Sequence, residues 1–132
     1  SSRGHAVQVE MEHPQLWLDL VALRYAVMIN GVDQVFLTKL DVLDELSDIK
    51  MVTRYRRSGT AEPVFDPHME NISQVTPEVE SFPGWKRKTS DITAYRALPP
   101  QAREYVEFIE KFLGIPVRHI SVGSGRDQTI PR

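Results

Sequence analysis

An α/β fold is expected for this chain: a partial mixed sheet with flanking helices plus a small antiparallel hairpin region. Three observations predict it. A widely apolar, helix-forming stretch after Asp19 ends at Asn30-Gly31, and the β-branched and aromatic run Gln34 to Leu40 follows at once. An amphipathic stretch entered through Pro99-Pro100 and closed by Gly114 leads into a second such run, Val117 to Val122. Between them, Ile49 to Arg56 alternates with the two-residue period of a strand. Helix, tight turn and buried strand in succession indicate a sheet with at least some parallel pairs.

Each element has a local reason. Ser1 to Gln15 is polar and lacks a helical period; Ala6 to Met11 is either a short edge strand or part of a tag or disordered tail, and residues 1–16 are expected as a tail apart from the domain at 17–132. Asp19 is an N-cap candidate for the first helix, whose Leu20, Val21, Leu23, Ala26, Val27 and Met28 give it a wide apolar surface. Asn30 and Gly31 tolerate the left-handed conformation that ends a helix. In the alternating run, Ile49, Met51, Thr53 and Tyr55 share one face, and Ser58-Gly59 offers a turn to a hairpin partner. Glu62 to Gly84 is punctuated by Pro63, Pro67, Pro77 and Pro83, which predicts loops with one or two short strands. Phe82-Pro83-Gly84-Trp85 reads as a rigid corner, and Lys86-Arg87-Lys88 as a solvated loop. In the last helix, Pro99-Pro100 costs little at the first turn, while Ala102, Tyr105, Val106, Ile109, Phe112 and Leu113 recur at helical spacing.

Composition narrows the function. With 132 residues the chain suits one domain, and 41% hydrophobic with 26% charged residues describe a soluble globular class. The formal net charge of −2, from 16 basic and 18 acidic side chains, gives no pull toward nucleic acid or an anionic membrane. No apolar run approaches the roughly 20 residues of a membrane span. There are no cysteines, so disulfides, thiolate catalysis and cysteine zinc sites are excluded. His5, His13, His68 and His119 show no metal-ligand spacing, and no Ser stands in a Gly-x-Ser-x-Gly elbow.

Two segments carry chemistry, and each follows a predicted strand. Thr38-Lys39-Leu40-Asp41 leaves the carboxyl end of a buried strand, where α/β proteins place ligand groups. An ionised Asp accepts from the adjacent N1–H and N2–H₂ donors of guanine in one bidentate pair, and adenine lacks that pair. Lys39 can lay its methylene stem over a purine face with its ammonium in water. The plain alternative is that Asp41 caps the turn into Val42-Leu43-Asp44. The second segment, Ser121-Val122-Gly123-Ser124-Gly125-Arg126, either admits a ligand close to backbone N–H groups or is an ordinary strand-ending turn.

These pieces resemble, in order, the adenylosuccinate synthetase family. Trp17-Leu18-Asp19 with Val21 to Arg24 and Asn30-Gly31 is similar to the helix after the family's aspartate-binding loop, and Leu37-Thr38-Lys39-Leu40-Asp41-Val42-Leu43-Asp44 to its guanine-recognition segment. Phe82 to Trp85 resembles its Pro-Gly-Trp corner; Leu98-Pro99, Tyr105 to Ile109, Gly114 to Val117 and Ile120 to Gly123 with Arg126 resemble its last helix and strand. The similarity covers roughly Trp17 to Ile130.

The resemblance implies the carboxy-terminal part of that fold. It also implies a ligase reaction of purine and AMP biosynthesis, in which IMP and L-aspartate are joined with GTP hydrolysis and Mg²⁺. It assigns guanine or GTP contacts to Lys39, Leu40, Asp41, Ser121, Val122 and Gly123, with no catalytic and no metal residue. The family's phosphate loop and its catalytic Asp and His lie in an amino-terminal region without counterpart in these residues. Its Gly and arginine cluster before the Trp-x-Asp is replaced by Glu12-His13-Pro14-Gln15-Leu16, and a Pro after its Ser-x-Gly turn by Ser124. The expectation is therefore a guanine-reading fragment, inactive alone, holding no cofactor tightly and binding guanine nucleotide weakly. Its expected partner is an amino-terminal half or a second copy, the family being usually homodimeric, in the cytoplasm. The alternative is a non-catalytic binding or assembly module that keeps the fold without nucleotide use.

Overall fold

The computed structural model describes residues 6–10, 18–57, 63–64 and 75–132. Two four-stranded sheets share one core. In the first, strands β1 (Ala6–Glu10), β3 (Gln34–Thr38), β7 (Val117–Ser121) and β8 (Thr129–Pro131) lie in the order β1-β3-β7-β8. The first three are parallel and β8 is antiparallel, with Leu37 opposite Ile120 and Ile120 opposite Ile130. In the second, β2 (Leu18–Asp19) pairs in parallel with β4 (Asp48–Arg57), which pairs antiparallel with β5 (Pro63–Val64) and β6 (Val75–Pro83). The expected mixed sheet and antiparallel region are thus both present.

Helix α1 (Leu20–Asn30) begins as the sequence predicts: Asp19 Oδ1 accepts the Ala22 N–H at 3.0 Å, and Gly31 ends it at φ 63°. The second Asp19 oxygen accepts the Tyr55 hydroxyl at 2.5 Å, tying the helix start to β4. Helix α2 (Pro100–Leu113) has proline in its first turn and Gly114 at φ 74° after its end. Its Tyr105, Val106 and Ile109 pack with Leu20, Leu37, Met51, Ile120 and Ile130, all 0–1% exposed. Arg24 of α1 lies 4.3 Å over the Phe112 ring of α2. Among the described residues no helix is long and apolar enough to cross a membrane.

Several expectations change. Of the two readings of Ala6 to Met11, strand or tail, the strand is found at Ala6–Glu10 (β1), where Val7 and Val9 supply apolar side chains beside β3 and Val9 is buried. The stretch expected as loops with short strands contains the nine-residue β6. Its Pro77 is tolerated because β6 has only β4 as neighbour among the described residues. Strand β3 stops at Thr38 rather than Leu40, since Lys39 turns the chain at φ 60°. Strand β8 was not anticipated. The Ser58-Gly59 turn, Trp17, His5, His13, His68 and Glu12 to Leu16 lie outside the described residues.

The Phe82 to Trp85 corner is rigid for a specific reason. Gly84 donates to Ser47 O at 3.0 Å, and a Cβ at Gly84 would overlap the Leu46 carbonyl. Gly84→Ala is expected to lower stability by about 2–4 kcal/mol, since backbone, not a flexible side chain, must move. Urea unfolding measures it; a loss no larger than that of an exposed Gly→Ala would show that the corner yields.

Candidate functional site

Because Leu37 stands opposite Ile120, residues 38–41 and 121–123 leave the same end of two adjacent parallel strands. That end of an α/β sheet is where a ligand meets loops rather than ladder. Thr38 closes β3, its hydroxyl donating to Val9 O at 3.1 Å. Lys39 then adopts the left-handed region, and Leu40–Leu43 forms one 3-10 turn. Leu40 is fully buried and anchors that turn in the core. Any ligand contact by Leu40, or by the equally buried Val122, is therefore made through backbone.

The turn carries two carboxylates with opposite fates. Asp44 is fully engaged: Oδ1 accepts from Trp85 Nε1 and Thr89 Oγ1, and Oδ2 from the Thr89 N–H, each at 2.8 Å. Asp41 Oδ1 is buried and has no hydrogen-bond partner among the described residues. Burial holds the Asp41 carboxyl above its ordinary value. Its own backbone N–H opposes that shift, the Asp44 charge adds to it and Lys39 offsets part of it. Asp44 thus pins a loop, while Asp41 Oδ1 has no partner among the described residues.

Asp41 borders a cavity of about 630 Å³ lined also by Val42, Asp44, Glu45, Lys86, Arg87, Lys88 and Ser90. This volume suits a small organic ligand. The basic triplet, read from sequence as a solvated loop, is exposed and also forms the far wall of this cavity. Lys86 stands at φ 51°; it and Lys39 are the two non-glycine residues with positive φ among those described. Such backbone gathers where surrounding structure imposes it, often at ligand sites.

Ser121 borders a second concavity of about 320 Å³ with Phe36, Leu37, Thr38, His119 and Thr129. His119 is exposed, its ring 4.8 Å from Phe36 edge to face. The Ser121 hydroxyl donates to Gly123 O at 2.8 Å. The Val122 N–H is taken by Gln128 O and the Gly125 N–H by Gln128 Oε1, both at 2.8 Å. Of the six predicted residues, Asp41 borders the first concavity and Ser121 the second; Lys39, Leu40, Val122 and Gly123 line neither, though all six follow the same end of β3 and β7. Sequence reasoning missed Asp44, Thr89, Ser90 and Gln128; of these only Asp44, inside the resembling segment, carried a signal. No trio of His, Asp and Glu able to hold a metal stands together among the described residues.

Comparison with known proteins follows the same lines. The family model described as adenylosuccinate synthetase matches residues 8–130. Adenylosuccinate synthetase from Schizosaccharomyces japonicus is 44% identical over 114 residues, covering 86% of this chain and 26% of that protein. The protein of that name from Chlorobium phaeobacteroides is 44% identical over 116 residues, covering 88% and 27%. The solved structure of fully ligated adenylosuccinate synthetase from Plasmodium falciparum superposes with a TM-score of 0.80 at 33% identity, covering 88% of this chain and 28% of that one. The chain thus spans about a quarter of the length of the relatives it matches.

The two carboxylates separate by stability. Asp44→Asn sets an amide donor against Trp85 or Thr89 and is expected to cost about 2–3 kcal/mol. A raised Asp41 pKa means that the stabilising, protonated form is lost as pH rises through that pKa. At neutral pH Asp41→Asn should therefore leave the melting temperature unchanged or higher. Thermal unfolding of both variants checks this, and a large loss for Asp41→Asn would make it a structural cap.

Proposed function

The chain belongs to the adenylosuccinate synthetase family, and on that premise we propose that residues 17–132 carry the guanine-reading part of a GTP-dependent ligase and are inactive alone. The observation that carries this reading is the buried, unpartnered Asp41 oxygen beside a ligand-sized cavity. A carboxylate so placed accepts guanine N1–H and N2–H₂ together and has nothing equivalent to accept from adenine. The Gly123 turn, at the same sheet end, offers backbone N–H to the guanine carbonyl, and Lys39 its stem to the ring face. An assembly module without nucleotide use gives no reason for an aspartate to hold a buried oxygen open.

The ligase reaction of this family joins IMP to L-aspartate with GTP and Mg²⁺. Phosphoryl transfer needs positioned cations and donors around the phosphates, and no Mg²⁺ ligand is assigned to the described residues. Their part is to bind and orient the base. The rest of a full-length protein is the partner that supplies the phosphate site; it, or a second copy of this chain, covers exposed apolar groups such as Met28 and Ile29. Incubation of the purified chain with IMP, aspartate, GTP and Mg²⁺ is expected to yield no adenylosuccinate; turnover free of host enzyme would overturn the fragment reading.

Base recognition is tested directly by NMR titration. Guanosine should bind with a dissociation constant of about 1 mM or weaker, near −4 kcal/mol, and adenosine should not. Asp41→Asn should exchange preference toward xanthosine. The amide NH₂ meets the xanthine C2 carbonyl, whereas it opposes the guanine amino group at about 1–3 kcal/mol. Guanosine affinity in the wild type should fall with acidification before the ordinary value of 3.8 is reached, because the ionised Asp41 is the acceptor and its pKa is raised. Equal binding of adenosine, or no effect of Asp41→Asn, would leave Asp41 as a turn residue.

A further inference from the structure

The Asp41 turn and the Ser121 to Gly125 turn sit on different loops, yet hydrogen bonds and one peptide step from Ser90 to Thr89 join them. The Gly125 N–H donates to Gln128 Oε1 at 2.8 Å, and Gln128 Nε2 donates to Ser90 O at 3.2 Å. Thr89, the next residue back, donates through both its backbone N–H and its hydroxyl to Asp44, whose own N–H donates to Asp41 O at 3.1 Å. Ser90 borders the Asp41 cavity.

From this geometry we infer that Gln128 is a positioning residue for base recognition, fixing the glycine turn relative to the Asp41 cavity. The inference rests on the guanine reading of Asp41. A side-chain amide is the group that can do this, since one end must accept and the other donate. Its orientation is set by its partners: the Gly125 N–H can only donate and the Ser90 carbonyl can only accept. The main chain of Gln128 holds the same turn from below, its carbonyl accepting the Val122 N–H and its N–H donating to Gly125 O. Gly123 completes the fit, because a Cβ there would overlap the Gln128 amide. A bidentate contact to one edge of guanine and an N–H contact to its carbonyl need a fixed separation, and Gln128 ties the glycine turn to the Ser90 loop, which Thr89 and Asp44 in turn fix to the Asp41 turn.

The experiment is a guanosine titration of the wild type, Gln128→Glu and Gln128→Met, followed through backbone amides and the Gln side-chain NH₂ groups. Gln128→Glu keeps the acceptor for Gly125 and sets a negative oxygen against Ser90 O; Gln128→Met keeps volume and loses both bonds. Both should bind guanosine about five- to tenfold more weakly, the size of one lost hydrogen bond. Ligand-free shift changes should appear at Ser90 and Asp41 as well as at Gly123 and Gly125. In the wild type, guanosine should shift the Gln128 NH₂ resonances, which needs no variant to fold. Unmoved Gln128 resonances, unchanged affinity in the variants, or ligand-free changes confined to residues 121–125 would overturn the positioning role and leave the guanine reading standing. A wild type that binds no guanosine removes both.

Discussion

Three donors converge on one carboxylate, and the geometry of the loops at this end of the parallel strands depends on it. Asp44 accepts from Trp85 Nε1, Thr89 Oγ1 and the Thr89 N–H. Thr89 is fully buried and Trp85 nearly so, so each donor needs a partner inside the protein, and charge-assisted bonds are the strong kind. Their convergence pins the loop that carries Lys86, Arg87, Lys88 and Ser90 against the turn that carries Asp41. The close approach of Gly84 to the Leu46 carbonyl sets the angle at which that loop departs. Without this junction the cavity beside Asp41 has no far wall.

Asp41 and Asp44 also show how tertiary context decides a residue's task when local sequence does not. They stand three residues apart at a single 3-10 turn. One meets a cluster of buried donors and becomes structural. The other turns an oxygen into the interior where no donor is supplied. An unpaired buried acceptor opposes folding, so a stable protein keeps few of them, and each calls for an explanation. Lys39 and Lys86, in left-handed backbone beside the same turn and loop, are held against local preference as well.

Much of the fold was legible because its signals are local. Asp19, Gly31, Pro100 and Gly114 mark helix ends by their own chemistry, and all four act as the sequence predicts. Strands β3 and β7 announced themselves as short apolar runs. Strand β1 was one of two readings of its segment and β8 gave no sign, since two or three inward side chains make no firm pattern until a neighbour gives them a register. Strand β6 was hidden by its prolines, which an edge accommodates on its unpaired side. At the site, Asp41 and the glycine turn could be singled out by chemical type. Gln128 could not, because a lone glutamine in a polar stretch has meaning only through the Gly125 N–H and the Ser90 carbonyl, 3 and 38 residues away.

The direction of the Asp41 shift joins stability to selectivity. Desolvation raises its pKa, and the same desolvation strengthens a hydrogen bond made there and increases the penalty for a ligand that fails to make it. In water, a carboxylate that loses a guanine donor finds a solvent donor, and discrimination is small. Beside an oxygen closed to solvent, as Asp41 Oδ1 is, a replacement donor is harder to find and the penalty for a ligand without one grows. On the proposed reading, Asp41 would serve base recognition through a desolvated oxygen that has no partner among the described residues. The Asp44 junction holds the loop of Ser90 against the Asp41 turn, and Gln128 ties that loop to the glycine turn, so three segments far apart in sequence are joined by side chains.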